Sequence, residues 1–189
     1  SGRDKLKQRF TELFKMDQTW IRKFAGNTYL LSKRKADDAF SSIYMRTGLN
    51  GADQLLIDPL TLSKDSSVTA GIAALSDDGL LLAYELRHGG EDETVVKFKA
   101  LDAKTDLADS LPRALYFGVE IAGDKKGVYY AIGAKDGPRV KYHAFGTDLA
   151  TDTPLFGEQF DAGWEMGMSL SQGGRYLVLT FAKGSSADE

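Results

Sequence analysis

The 189-residue chain carries 24 Lys and Arg against 27 Asp and Glu, a formal net charge of −3, with 42% hydrophobic residues and no cysteine. This balance offers no basic face for nucleic acid and excludes disulfides and thiolate metal sites, while the apolar fraction is ordinary for a folded core. The length suits one domain or a piece of a larger one, and no apolar run approaches a membrane-spanning helix, so neither nucleic acid nor membrane is expected as a partner.

In chain order, the polar opening Ser1-Gly2-Arg3-Asp4 has no initiator Met and no signal-peptide character, so the chain is expected to start inside a longer reading frame or after a removed tag. The compartment stays open between cytoplasm and periplasm. Residues 4–16 carry a helical pattern, with Leu6, Phe10, Leu13 and Phe14 at i, i+4, i+7 and i+8 and Asp4 as the expected N-cap. The stripe is expected to pack on the helix's own domain.

Beyond Gln18 the pattern changes to short β-rich runs at 29–33, 43–46, 55–58, 72–75, 80–86, 94–101, 115–121, 128–132, 140–145, 166–170 and 176–181. Clusters of Gly, Asp and Ser separate them, which reads as antiparallel strands joined by turns. No second helical stripe appears, which argues against alternating βαβ units and a parallel sheet. Residues 184–189 read as a loop.

One segment recurs. Leu75-Ser76-Asp77-Asp78-Gly79-Leu80-Leu81 returns as Ile121-Ala122-Gly123-Asp124-Lys125-Lys126-Gly127-Val128 and as Leu170-Ser171-Gln172-Gly173-Gly174-Arg175-Tyr176, with a weaker first copy at 23–31. With Gly26, Gly79, Gly127 and Gly174 as markers, the steps are 53, 48 and 47 residues. Four short strands per repeat of this length are the signature of a β-propeller blade. Unrelated hairpins in a sandwich would not repeat one turn three times at this spacing. The expected fold is all-β: a partial β-propeller of about three and a half four-stranded antiparallel blades with a short N-terminal helix. The helix occupies 1–18 and the incomplete propeller 19–189, with blades starting near 19, 70, 114 and 164. Propellers use about four to eight blades, so this material does not close a ring and reads as a fragment.

The ordered strings also resemble a known family, the prolyl oligopeptidases. Leu6–Phe14 is similar to the helix leading into that family's propeller. Met45-Arg46-Thr47-Gly48-Leu49-Asn50 resembles its "N-T-G-L-x-N-Q" stretch, and Leu56-Ile57-Asp58-Pro59-Leu60-Thr61-Leu62-Ser63 its "L-L-D-P-N-x-L-S". Tyr142-His143-Ala144-Phe145-Gly146-Thr147 resembles "Y-x-H-x-L-G-T", and 170–176 the "L-S-x-D-G-R-Y" turn. The chain departs at Gln172-Gly173, where the family usually has an acidic residue, and at Gly123-Asp124-Lys125-Lys126-Gly127, where it has "D-G-K-G". The resemblance implies the N-terminal part of the propeller of a serine peptidase that cleaves short peptides after proline. Its implied partners are an α/β-hydrolase catalytic domain of the parent chain and short proline-containing peptides, with the propeller gating substrate access by size. It further implies substrate-binding roles for Tyr116, stacking on an apolar side chain, and Glu165, favouring a cationic one. The plainer alternative makes Tyr116 core and Glu165 a solvated surface charge.

The residues themselves supply no catalytic machinery. A nucleophile elbow needs G-x-S-x-G, and the nearest string, Gly167-Met168-Ser169-Leu170-Ser171, lacks the second glycine. The two histidines, His88 in a predicted hairpin loop and His143 in a predicted strand, read as solvated or structural. Asp77-Asp78-Gly79 is a turn without EF-hand spacing, Glu91-Asp92-Glu93 a solvated charge run, and no Walker or Rossmann glycine pattern is present. No catalytic residue, metal or cofactor is therefore expected in this stretch, although the parent protein is expected to be a serine-type endopeptidase. The competing expectation is a non-catalytic propeller interaction module. Self-association is expected through the open blade edge, with Met166, Met168, Leu170, Tyr176, Leu177, Leu179 and Phe181 as its uncovered apolar flank.

Overall fold

The computed structural model describes residues 2–63 and 67–183, so the expected loop at 184–189 lies outside the described residues. Helix α1 (Gly2–Phe14) leads into the first antiparallel sheet, β1 (Gln18–Ala25), β2 (Thr28–Arg34), β3 (Ser42–Thr47) and β4 (Gln54–Ile57). A short α2 (Pro59–Leu62) follows, with the Asp58 side chain accepting from the Leu60 N–H at 3.0 Å. The second sheet is β5 (Val68–Leu75), β6 (Leu81–His88), β7 (Thr94–Ala100) and β8 (Thr105–Ala114). The third is β9 (Tyr116–Ile121), β10 (Gly127–Ala134), β11 (Gly137–Ala144) and β12 (Thr153–Phe156), with a 3-10 turn at Leu149–Thr151 before its last strand. The fourth holds β13 (Trp164–Leu170) and β14 (Leu177–Lys183) among the described residues. Each sheet is a meander in chain order, and together they form a partial, all-β propeller. Among the described residues no helix is long and apolar enough to cross a membrane.

The cores lie between blades rather than within them. From β6, Leu82, Tyr84 and Leu86 pack toward the first blade with Leu30, Ile43, Met45 and Ile57. Its alternate residues Leu81 and Ala83 pack toward the third blade with Val119, Ile121, Val128 and Tyr130. A strand covered on both faces needs apolar residues at consecutive positions, which is why the run after Gly79 shows no polar alternation. Met166 joins Ala131 and Val140 in the core between the third and fourth blades.

Several expectations are corrected. The helix begins at Gly2, so Asp4 sits inside its first turn rather than capping it, and none of its residues is buried. Leu6, Phe10, Leu13 and Phe14 are exposed, so the stripe does not pack on its own domain among the described residues. The helix is held at its end, where the Arg34 guanidinium donates to the Phe14 carbonyl at 2.9 Å. The weak stretch near Leu107 is a ten-residue strand, and β12 had no counterpart among the predicted strands. The glycine marker of the third blade is also displaced. The left-handed turn position held by Gly79 (φ 71°) and Gly174 (φ 70°) is taken there by Lys125 (φ 57°). Gly127 lies in β10, where a side chain would run into the Tyr142 phenol and the His143 carbonyl.

The four innermost strands β1, β5, β9 and β13 are neighbours in chain order. The turns that follow them gather at one end of the assembly. There Lys125 pairs with Asp78, the Gly173 N–H donates to Asp77 Oδ2 at 2.7 Å, and the Cα of Gly123 approaches Gly174. Burial opposes ionisation of Asp78, but hydrogen bonds from Lys125, Ser76 and the Leu80 N–H outweigh it and hold the carboxyl below its ordinary range. The inner strands therefore begin at the opposite end, where Tyr116 and Glu165 stand.

Candidate functional site

Tyr116 is the first residue of β9. Gly118 pairs with Ala131 but Tyr116 with Ile132, so Phe117 is an extra residue between them, a bulge that turns the strand's side chains away from strict alternation. Tyr116 is half-buried against the core shared by the second and third blades, edge-on to Tyr130 at 6.2 Å between ring centroids. Its hydroxyl donates to the Pro112 carbonyl. Burial, and then the charge of Asp152, push its phenol above the ordinary value, so the ring is a neutral donor at any working pH.

Glu165, second residue of β13, is exposed and pairs across the hairpin with Ala182. It lines a cleft of about 240 Å³ together with Phe117, Met166, Gly167, Thr180, Phe181 and Ala182. The bulge thus brings Phe117, rather than Tyr116, into one cleft with Glu165. Phe117 was missed in the sequence because nothing in Leu115-Tyr116-Phe117-Gly118 marks which aromatic is the inserted residue. Chemically, the cleft joins an aromatic and thioether-lined wall to a single carboxylate at its rim, an arrangement suited to an apolar or cationic side chain.

His143 is a structural group. Its ring, with the side chain 1% exposed, lies between two carboxylates: Nδ1 is 2.7 Å from Asp152 Oδ1 and Nε2 3.3 Å from Asp109 Oδ1. Asp152 also accepts from the Tyr130 hydroxyl at 2.6 Å, and Asp109 from the Gly146 N–H at 2.5 Å. With both ring nitrogens engaged, neither is free to serve a nucleophile. His88 lies exposed at the end of β6. Among the described residues no group of three or more His, Asp or Glu is placed to hold a metal ion.

The family model for the prolyl oligopeptidase N-terminal β-propeller domain matches residues 1–189. The chain belongs to that family. It is 23% identical over 198 residues to the prolyl endopeptidase of Elizabethkingia meningoseptica, covering 99% of this chain and 28% of that protein. It is 25% identical over 180 residues to prolyl oligopeptidase A of Galerina marginata, covering 81% of this chain and 24% of the other. A prolyl endopeptidase structure, from work on inter-domain dynamics in catalysis and specificity, superposes with a TM-score of 0.85 at 26% identity, over 96% of this chain and 28% of that one. Prolyl oligopeptidase B of Galerina marginata bound to a 35mer substrate superposes at 0.77 and 19% identity, over 95% and 28%, which bears on the fold alone. This prolyl oligopeptidase propeller segment thus spans only 28% and 24% of the length of these two relatives.

Proposed function

We propose that this chain forms the first blades of the propeller in a serine peptidase that cleaves short peptides after proline, with the α/β-hydrolase domain supplied by the rest of a longer polypeptide. The observation that carries this reading is the family match over the whole chain. The opposed ends of the assembly fit it: one end is drawn together by the interlocked turns at Asp77, Asp78, Lys125 and Gly173, and the other carries the cleft of Phe117 and Glu165. On this reading the propeller limits access by size, admitting flexible short peptides and excluding folded proteins. Tyr116 supports the wall against which an apolar side chain rests, and the Glu165 carboxylate favours a cationic one.

The test uses the polypeptide extended beyond residue 189. It should release a chromophore linked after proline in a short peptide and leave the same sequence intact in a loop of a folded protein. Cleavage of both would remove the size filter. Cleavage of neither would favour the non-catalytic interaction module.

A further inference from the structure

The loop that carries the chain from β12 into β13 ends on Trp164 and Glu165, and its backbone carbonyls are held by a side chain from the hairpin of β10 and β11. Arg139, on β11, has its side chain only 19% exposed. Its Nη1 donates to the carbonyls of Pro138 and Gly157, both at 2.9 Å, and of Phe160 at 3.3 Å. Its Nη2 donates to Asp136 Oδ2 at 2.8 Å. One guanidinium therefore gathers carbonyls from two separate chain segments while holding the Asp136 carboxylate, four acceptors for its five N–H donors where an ammonium has three.

The two segments touch backbone to backbone. A Cβ on Gly137 would overlap the Phe160 carbonyl and stand 2.7 Å from that of Asp161, and one on Gly157 would overlap the Pro138 carbonyl. The held loop then hands its position to the strand. The Phe160 N–H donates to Gly157 at 3.0 Å and the Trp164 N–H to Asp161 at 3.2 Å, two turns in succession. The Phe160 ring stacks on Phe181 at 4.2 Å and lies 5.0 Å from Trp164, so it wedges against both strands of the fourth blade beside the cleft.

We infer that Arg139 is a positioning residue for the Trp164–Glu165 edge. By fixing the carbonyls of Gly157 and Phe160 it sets where the Phe160 ring, Trp164 and the rim carboxylate of the cleft stand. Its consequence for substrates rests on the function proposed above, and its structural part does not.

The experiment has two arms. In the 189-residue chain, Trp20→Phe leaves Trp164 as the sole tryptophan of the two. Arg139→Ala should then shift its emission to the red and raise acrylamide quenching about twofold, with Arg139→Lys between. Ile43→Val, a buried change in the first blade, is the control for general loosening and should leave Trp164 as it was. Unchanged quenching in Arg139→Ala overturns the inference; should that variant not fold, Arg139→Lys carries the same comparison. In the extended polypeptide, peptides with Lys or norleucine on the N-terminal side of the proline are compared. Glu165→Gln should abolish the preference for Lys, and Arg139→Ala should raise KM for the Lys peptide about tenfold toward that of Glu165→Gln. If Glu165→Gln abolishes the preference and Arg139→Ala retains it, the inference is overturned while the substrate reading stands. If Glu165→Gln changes nothing, that reading fails and the quenching alone decides Arg139.

Discussion

Lys99 and His143 occupy the same place in successive blades. Lys99 pairs across its sheet with Leu82 and His143 with Val128, and each grips an aspartate at the entry to its blade's outermost strand, Asp106 within β8 at 2.9 Å and Asp152 just before β12 at 2.7 Å. Tyr84 and Tyr130, both 22 residues before those aspartates, donate to the same two carboxylates. In the first blade Arg46 takes this position, opposite Tyr29, and binds Asp53 at 2.6 Å, with Lys33 bound to the same carboxylate. Three different side chains, Lys99, His143 and Arg46, thus tie the third strand of a blade to the start of its fourth. The fourth strand needs such a tie, because it has one neighbour and, in β4 and β12, only four residues. The family's "Y-x-H" pattern is, in this chain, one version of a clamp present in all three complete blades.

His143→Leu should cost about 3 kcal/mol, because it leaves Asp152, with a side chain 1% exposed, buried without its partner on the imidazole ring. His143→Lys copies the second blade's arrangement and should cost clearly less. Urea denaturation of the two variants checks this; equal losses would show that ring packing against Phe145, rather than the carboxylate pair, is what His143 supplies.

Asp53 gives the clamp a pH dependence. Hydrogen bonds from Arg46 and then Lys33 outweigh burial and hold its carboxyl at about 2. The unfolded chain binds this proton at about pH 4, so the stabilisation is fully present above that and is lost as pH falls toward 2. Thermal midpoints measured from pH 6 to 2 should fall less steeply in Asp53→Asn than in the parent chain. Parallel curves would assign the acid loss to other carboxylates.

At Gly79 two demands coincide. Its φ of 71° is a conformation that other residues adopt only with strain, and a Cβ there would sit 2.6 Å from the Ala25 carbonyl and 2.8 Å from Thr28 Oγ1 of the first blade. Gly79→Ala should therefore destabilise by at least about 1–2 kcal/mol, the cost of the backbone alone. Gly89→Ala has comparable φ, 58°, and open space around it, so the difference between the two variants in urea isolates the contact between blades.

The parts of the fold that were legible in sequence are those whose physics leaves a local mark. The run from Leu80 to Tyr84 is apolar at successive positions because β6 is covered on both faces, and the Ser76-to-Gly79 turn shows its capping hydroxyl and its left-handed glycine in order. Strand β12 shows neither, since all four residues of Thr153-Pro154-Leu155-Phe156 are exposed and Pro154 has no N–H to give a ladder. In β1 a bulge between Ile21 and Lys23 breaks the alternation that would have marked it. Gly127 misled because its requirement is space beside Tyr142, while the turn itself is made by Lys125. Around the cleft, Tyr116 and Glu165 came into view only through family resemblance. Phe117 and Arg139 did not, because an inserted residue and a guanidinium serving carbonyls 18 and 21 residues away have no local pattern.

The open edge of the fourth blade carries the last prediction, and the structure changes its terms. Of the residues expected to be uncovered, Met166 is buried, and Met168, Leu177, Leu179 and Phe181 pack against Ala131 and Val140. The alternation of β14 explains this: its odd positions face the third blade, and the even ones, Val178, Thr180 and Ala182, face away. What remains is Val178 at 49% and Tyr176 at 59% exposed, beside a backbone edge on β14 that no other strand pairs with among the described residues. An unpaired strand edge next to apolar side chains recruits another strand. The isolated 189-residue chain should therefore self-associate through β14 at micromolar concentration. Leu179→Lys would also disrupt the core between the blades, so it cannot separate association from unfolding. Val178→Lys places a charge on the outward face and should return the chain to a monomer in sedimentation without lowering its urea midpoint. A parent chain that sediments as a monomer under the same conditions would show that the two-stranded blade protects its own edge.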